Sequence, residues 1–422
     1  MKKAWVFTLF LYLTILIFGS CASVPKEVQN DIMDRKNAEH NIITDDFNFS
    51  YIKIADIKKN AEMALQKKYN QFKIIDNIDI NNPSEINILT FKYLENYECN
   101  YYQALQLFFT QKEIESQDIN YSADSTGMYT YSFWNERDKL YGCVGDNGFI
   151  AMLKPDVFDI SFACNKRNVK IYHADRSDDL SDIYMLKNGE YSVGEAVNYI
   201  NNWLNTEYKT LFPDYDYKVK TIIVREYENH YLFDITAELF FNDVPLDSFT
   251  MESAFDEVNK RMYMLYTRSN IKIQMVNINE IDSFTNGTGI INPIEAESID
   301  ECISLESALL LCENTFTDFK DIPISDIKIK YTLTPVYDYI GEKHEEENGT
   351  INIITQSTYA SGTMLKSRPV WEFVIDVDPS EFLKDDEINT YGDVRKYIYV
   401  DMLSGELFYQ LDIVLQGTGG VS

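Results

Sequence analysis

Apolar residues recur at helical spacing in three places, and each time the pattern then switches to alternation. Over residues 55–69, Ile57, Ala61, Ala64, Leu65 and Tyr69 fall broadly on one side of a helix, and the segments QFKIIDNIDI and INILTFKYL that follow read as strands. A second helix is predicted to open at a capping box, Ser192 to Glu195, where the hydroxyl accepts a backbone N–H and the carboxylate reaches back. Val193, Ala196, Val197, Ile200 and Leu204 form its stripe. Residues 217–224 and 231–240 then read as paired strands, with Tyr231, Phe233, Ile235, Ala237 and Leu239 facing one way against Leu232, Asp234, Thr236 and Glu238. Ile271, Ile273 and Met275 alternate with Lys272 and Gln274 in another. The third helix starts near Ser304, a suitable N-cap, and sets Leu305, Ala308, Leu309, Cys312 and Phe316 at helical spacing. Alternation returns at Ile327, Ile329, Tyr331 and Leu333, and again at Trp371, Phe373, Ile375 and Val377. Finally RKYIYVD and GELFYQLDI flank Met402-Leu403-Ser404-Gly405, a hairpin in which Gly405 supplies the positive φ of a tight turn.

A helix followed by antiparallel strands, three times over, predicts an α+β fold of helix-plus-antiparallel-sheet modules in tandem. Each sheet is covered by a helix on one face and is solvated, or paired with a neighbour, on the other. The expected units are an N-terminal region 47–190, a middle module 191–290 and a C-terminal module 291–422. No residue-level repeat points to duplication.

The front of the chain obeys a different rule. Lys2 and Lys3 precede a largely apolar stretch, residues 4–18, with Gly19, Ser20 and Cys21 directly after it. At 1.5 Å per residue this stretch spans about 22 Å as a helix, short of the roughly 30 Å hydrocarbon core, so residues 1–20 are expected to be a cleaved export signal. Small residues just before a cysteine resemble the lipobox of bacterial lipoproteins, with Phe18 where an aliphatic residue is usual. That resemblance implies lipidation of the Cys21 thiol, and acyl chains such as palmitate would hold the protein on the outer face of the cytoplasmic membrane. An ordinary secretory signal with an incidental Cys21, or an uncleaved anchor, is the competing expectation. Residues 22–46 are polar and weakly patterned and read as a tether, with an end-to-end distance of about 25–30 Å if flexible.

Composition narrows the partners. The 422 residues suggest two or three domains at roughly 150 residues each, and 45% hydrophobic residues exclude wholesale disorder. A net charge of −29 repels polyanions, so nucleic acid is not an expected partner. Beyond Cys21 there remain Cys99, Cys143, Cys164, Cys302 and Cys312, an odd set without zinc spacing. Cys143 and Cys164, in KLYGCVG and DISFACNK, could face one another across a hairpin, although small buried hydrophobes are the default and Cys312 sits on a helix's apolar face.

Catalytic sets are missing from the sequence. His40, His173, His230 and His344 are scattered, with no H-E-x-x-H, and neither a nucleophile elbow nor a phosphate loop occurs. Ser-x-x-Lys appears at Ser23/Lys26, Ser50/Lys53 and Ser325/Lys328, the frequency chance gives, without a companion K-T-G. Asp376, Asp378, Ser380, Phe382 and Glu387 fall at calcium-loop positions, but Glu381 stands where glycine is needed and Pro379 stiffens the turn. Asp175, Asp178, Asp179 and Asp182 read as a connector. Trp203 and Trp371 are expected in the core, and Trp134, in SFWNERDK, could stack on a ligand. No catalytic residue, cofactor or metal ligand is assigned.

The closing hairpin, YIYVDMLSGELFYQ, resembles PepSY-like modules of Gram-positive secreted and membrane-associated proteins, over residues 304–413 at most, with an acidic insertion EKHEEENG. The resemblance implies a protease-inhibiting, binding or regulatory role without catalysis, through an envelope protein or peptide partner. As a whole the chain looks like uncharacterised surface lipoproteins of clostridia. The expected function is a lipid-anchored, extracytoplasmic, non-catalytic binding or regulatory protein of the envelope. The alternatives are a solute-binding receptor of a transporter, or a carbohydrate-active enzyme using a carboxylate pair.

Overall fold

The computed structural model describes residues 47–415 apart from 76–77, 79, 93–100, 124–128, 146–147, 158–166, 176–177, 247, 257–260, 270, 287–292, 318–319, 334–337, 346–350, 356–363 and 378–390. The signal and tether with Cys21 and His40, the cysteines Cys99 and Cys164, and most of the calcium-like loop lie outside the described residues.

The N-terminal region contains β1 (Tyr51–Lys53), α1 (Ile57–Leu65), β2 (Phe72–Ile74), β3 (Asn87–Lys92), α2 (Tyr101–Gln106), α3 (Gln111–Glu115), β4 (Asn120–Ala123), β5 (Tyr129–Asn135), β6 (Leu140–Gly145), β7 (Ile150–Leu153), β8 (Arg167–His173) and β9 (Ile183–Leu186). Then come β10 (Gly189–Ser192), α4 (Val193–Thr206), β11 (Asp216–Tyr227), β12 (His230–Phe241), β13 (Val244–Leu246), β14 (Ser248–Asp256), β15 (Arg261–Ser269), β16 (Ile271–Met275) and β17 (Ser283–Thr285). The last part holds β18 (Glu295–Ser298), β19 (Glu301–Ile303), α5 (Leu305–Thr315), β20 (Ile322–Leu333), β21 (Asp338–Glu345), β22 (Ile351–Thr355), β23 (Met364–Val377), β24 (Tyr391–Asp401) and β25 (Leu407–Leu415). The protein mixes helix and strand and is mostly sheet. Among the described residues no helix is long and apolar enough to cross a membrane.

The local signals act as expected. Ser192 Oγ accepts from Glu195 N at 3.1 Å while Ser192 N donates to Glu195 Oε2 at 2.9 Å, and Ser304 Oγ accepts from Ser307 N at 3.2 Å. Strands β11 and β12 pair antiparallel with Tyr217 opposite Leu239, and Gly405 has φ 75° in the turn between β24 and β25.

Pairing then runs across the expected boundaries. Strand β8 joins β11, β7 joins β17, β3 joins both β18 and β23, and β2 and β13 lie parallel to β20. Most strands thereby form one hydrogen-bonded network that closes on itself, with β14, β15, β21 and β22 making a separate four-stranded sheet. Helices α1, α4 and α5 contribute Ile57, Ala61, Val193, Ile200, Leu204, Leu305 and Leu309 to the main core. Asn201 and Asn205 fix α4 to the backbone of β11 through Val219 N, Tyr217 N and Tyr217 O at 2.7–2.9 Å.

Every residue of β6 and β7 is buried. Leu140, Val144, Ile150 and Met152 face the main core, and Tyr141, Cys143, Ala151 and Leu153 form a second cluster on the opposite face. Cys143 stands opposite Ser132 and Ala151 in these ladders, so both neighbours of its strand are accounted for. Trp371, as expected, is in the core, its Nε1 donating to Ile303 O at 2.8 Å.

Candidate ligand-binding groove

Tyr199 and Trp203, one helical turn apart on α4, face a groove of about 310 Å³ whose other walls are Leu107 and Phe108 after α2, Lys154 after β7, and Ile278, Asn279, Glu280 and Ile281 between β16 and β17. Trp203 packs against Phe108, Phe284 and Tyr208 with ring centroids 5.5, 5.7 and 5.8 Å away. This makes the floor stiff and aromatic.

Besides the burial of Val276 and Ile281, polar side chains hold the 276–282 loop. The Asp282 carboxylate accepts from Val276 N at 2.7 Å, Asn277 N at 3.1 Å and Asn277 Nδ2 at 3.0 Å. Asn277 Nδ2 also donates to Asp156 Oδ2 at 2.8 Å, and Asp156 is ion-paired with Lys187. Ile278 N donates to Asn188 Oδ1 at 2.7 Å, and Tyr191 OH to Asn279 Oδ1 at 2.6 Å, with Asn279 at φ 54°. Burial pushes the Asp282 carboxyl up, against the pull of its three donors. Burial, and then Glu280 and Asp282, push the Tyr199 hydroxyl up, so it stays protonated at neutral pH. Lys154 Nζ and Glu280 Oε1 pair at 2.9 Å across the rim, with side chains 22% and 44% exposed. The groove thus offers a mainly polar lining, with a hydroxyl, an amide and a neutralised ion pair in front of buried aromatic rings.

A second constellation lies on the strand faces that alternation assigned to solvent or a neighbour. Glu238 Oε1 accepts from Lys220 Nζ at 2.7 Å and from Lys330 Nζ at 3.0 Å; Lys330 Nζ is 3.8 Å from Glu372 Oε2. Lys328 pairs with Asp326 at 3.1 Å and Asp175 at 3.5 Å. Lys330 and Glu372 are fully buried. Two carboxylates sharing one ammonium are near enough for glycosidase chemistry, but they lack an open groove between them. Burial pushes the Glu238 carboxyl up, and Lys220, Lys330 and Lys328 more than reverse this, holding it well below the usual range. A carboxyl so easily ionised cannot serve as the general acid. The cluster is an internal ion network between β11, β12, β20 and β23.

The residues behind the PepSY resemblance have local duties. Asp401 Oδ1 accepts from Leu403 N and Ser404 N at 2.8 and 2.9 Å, and Arg368 Nη1 donates to Oδ2 at 3.2 Å. The ring of Phe49 occupies the space a Cβ on Gly405 would need. In the connector, Asp175 meets Lys328, Asp178 accepts from His173 N at 2.7 Å, Asp179 accepts from Ser181 N at 3.0 Å and Asp182 accepts from Tyr172 OH at 2.5 Å. These carboxylates are tied into the fold rather than gathered. Among the described residues no group of three or more His, Cys, Asp or Glu could hold a metal ion. Trp134 is half-buried, edge-on to Tyr141 at 5.7 Å, and is not among the groove's lining residues. Cys302 and Cys312 are buried free thiols, and burial pushes Cys302 up to about 12.

No family model matches the chain, and no curated protein does either. Among solved structures it is similar to an uncharacterized protein from Eubacterium rectale, with 12% identity and a TM-score of 0.45 over 80% of this chain and 89% of that one.

Proposed function

We propose that this is a lipid-anchored extracytoplasmic protein that binds or regulates without catalysis, held at the outer face of the cytoplasmic membrane through Cys21. The observation that carries this reading is the order of the first residues: two lysines, an apolar run too short to span, then Gly19-Ser20-Cys21. The groove beside α4 supports the binding role as a concave surface on which Tyr199, Lys154, Asn279 and Glu280 converge. It also favours the second reading, a solute-binding receptor. Helix-plus-sheet modules in succession supply the remaining surfaces. Among these, Ile183 and Met185 on β9 are 63% and 46% exposed and offer an apolar face to an envelope protein or peptide, with the PepSY-like C-terminal region as the regulatory part.

Expression in a Gram-positive host fed labelled palmitate tests the anchor. The wild-type chain should carry label and sediment with membranes, and Cys21→Ala should lose both. An unlabelled wild-type chain, or a Cys21→Ala chain still held by membranes, would overturn the reading.

A further inference from the structure

The groove beside α4 has little apolar surface to cover, since Trp203, Phe108 and Ile281 are buried. What it presents is a cation beside an anion. Lys154 Nζ spends one proton on Glu280 Oε1 at 2.9 Å. Among the described residues its other two protons, Glu280 Oε2 and the Tyr199 hydroxyl have no hydrogen-bond partner, and neither has the N–H2 group of Asn279, whose Oδ1 is taken by Tyr191 OH at 2.6 Å. A net anion is opposed by the −29 charge of the chain and by Glu280 and Asp282 at the loop. A net cation meets the Lys154 ammonium, and an uncharged solute brings only neutral hydrogen bonds, which water brings equally well. What remains is a solute with no net charge that carries both signs close together.

We infer that the groove binds a free α-amino acid with a small or uncharged polar side chain, as its zwitterion, the ligand's carboxylate on Lys154 and its ammonium on Glu280. The ammonium nitrogen of such a ligand and its nearer carboxylate oxygen lie about a hydrogen-bond length apart, as Lys154 Nζ and Glu280 Oε1 do. Laid side by side in opposite sense, the four groups alternate in sign around a ring. Each charge then gains a second opposite neighbour, and the existing pair stays intact because Lys154 has protons and Glu280 an oxygen to spare. Tyr199 OH, which keeps its proton, and the Asn279 N–H2 group are donors for the second carboxylate oxygen. The pair's side chains are 22% and 44% exposed, so a solute reaches them while part of their field is shielded from water. A volume of about 310 Å³ is at the floor of the roughly 300–1,000 Å³ range of small-molecule sites and suits one amino acid rather than a peptide, whose opposite charges lie at separate ends. The inference rests on the binding role proposed above and names its ligand class.

Calorimetric titration of the full chain at pH 7 in a non-ionic detergent tests it. The probes are glycine, serine, threonine, asparagine and glutamine. The controls are N-acetylglycine, which lacks the cation, glycinamide, which lacks the anion, glycine betaine, which lacks the N–H donors, and glucose. Saturable binding of at least one free amino acid is expected, at least tenfold tighter than any control. Affinity should fall at least tenfold in Lys154→Met and in Glu280→Gln, and stay unchanged in Met63→Gln on the exposed side of α1. A rim pair adds little to folding, so both variants should melt close to wild type, which separates lost binding from lost structure. Binding of a control as tightly as the best amino acid would overturn the zwitterion assignment and leave the binding role standing. Amino-acid binding indifferent to both Lys154→Met and Glu280→Gln would overturn the assignment to this groove. Absence of binding by every probe would overturn the inference outright, while the anchored role stands or falls with the palmitate label.

Discussion

Glu238 is the residue whose surroundings determine most. Its carboxylate bridges Lys220 and Lys330, and its removal takes from the buried Lys330 ammonium a carboxylate at 3.0 Å, with Glu372 farther off at 3.8 Å. Breaking such a pair costs about 3–5 kcal/mol, because the desolvation penalty stays after the partner has gone. Glu238→Gln should therefore lower the unfolding free energy obtained from urea titration by that amount at pH 7. The pH dependence has a definite sign. A carboxyl held below its ordinary 4.5 in the folded chain stabilises above that value, and the stability is lost as pH falls through the folded pKa. Asp282, raised above its ordinary 3.8, works the other way: the folded chain holds its proton longer, so stability falls as pH rises from 3.8. Wild type should lose stability below about pH 4.5 more steeply than Glu238→Gln; parallel pH profiles would show that the network is not the source. None of this was legible in sequence. Glu238, Lys328 and Lys330 alternate with Ala237, Ile329 and Tyr331 as solvent-facing residues do, and only the meeting of two strand faces buries them.

The C-terminal hairpin shows what a motif is worth when its residues have local tasks. Asp401 fastens the turn and Gly405 supplies its φ of 75°, so Asp and Gly at these places are explained by turn chemistry before any partner is invoked. Gly405→Ala adds a methyl to a left-handed residue facing the Phe49 ring, and should cost about 1–2 kcal/mol from the backbone alone, more from the collision. Thermal melts of Gly405→Ala with and without Phe49→Ala check this: the penalty should shrink toward the backbone share once the ring is gone, whereas equal penalties would exonerate the contact. Here the sequence was readable, because caps and turns are decided within four residues. The same holds for Ser192 and Ser304. Helices α2 and α3 were missed, although Thr110 and Glu113 form a capping box, because they are too short to show a periodic stripe. Strands β6 and β7 are buried on both faces, so alternation had nothing to report.

For the molecule as a whole, helix-plus-sheet units in the sequence do not by themselves say how strands associate. Ladders such as β2 with β20 and β3 with β23 join residues hundreds of positions apart, and no pattern local to either strand encodes that pairing. The groove was equally hidden, since its walls come from four separate stretches that no local pattern brings together. Far-UV dichroism and tryptophan fluorescence should follow one coincident urea transition if the shared network governs stability, and successive transitions would mean the modules unfold on their own. One contact bears on the proposed attachment to a surface. The chain following residue 46 enters the fold as an edge: Ser50 N donates to Ser307 Oγ and Ser304 N to Ser50 O, both at 2.9 Å, and Tyr51, Ile52 and Lys53 pair with Ile303, Cys302 and Glu301. Under the proposed anchor, mechanical load through residues 22–46 would arrive at this short ladder first. Drawn along the strand it would strain these bonds together in shear, and drawn across it would peel them singly, so the direction of pull decides how much force the attachment withstands.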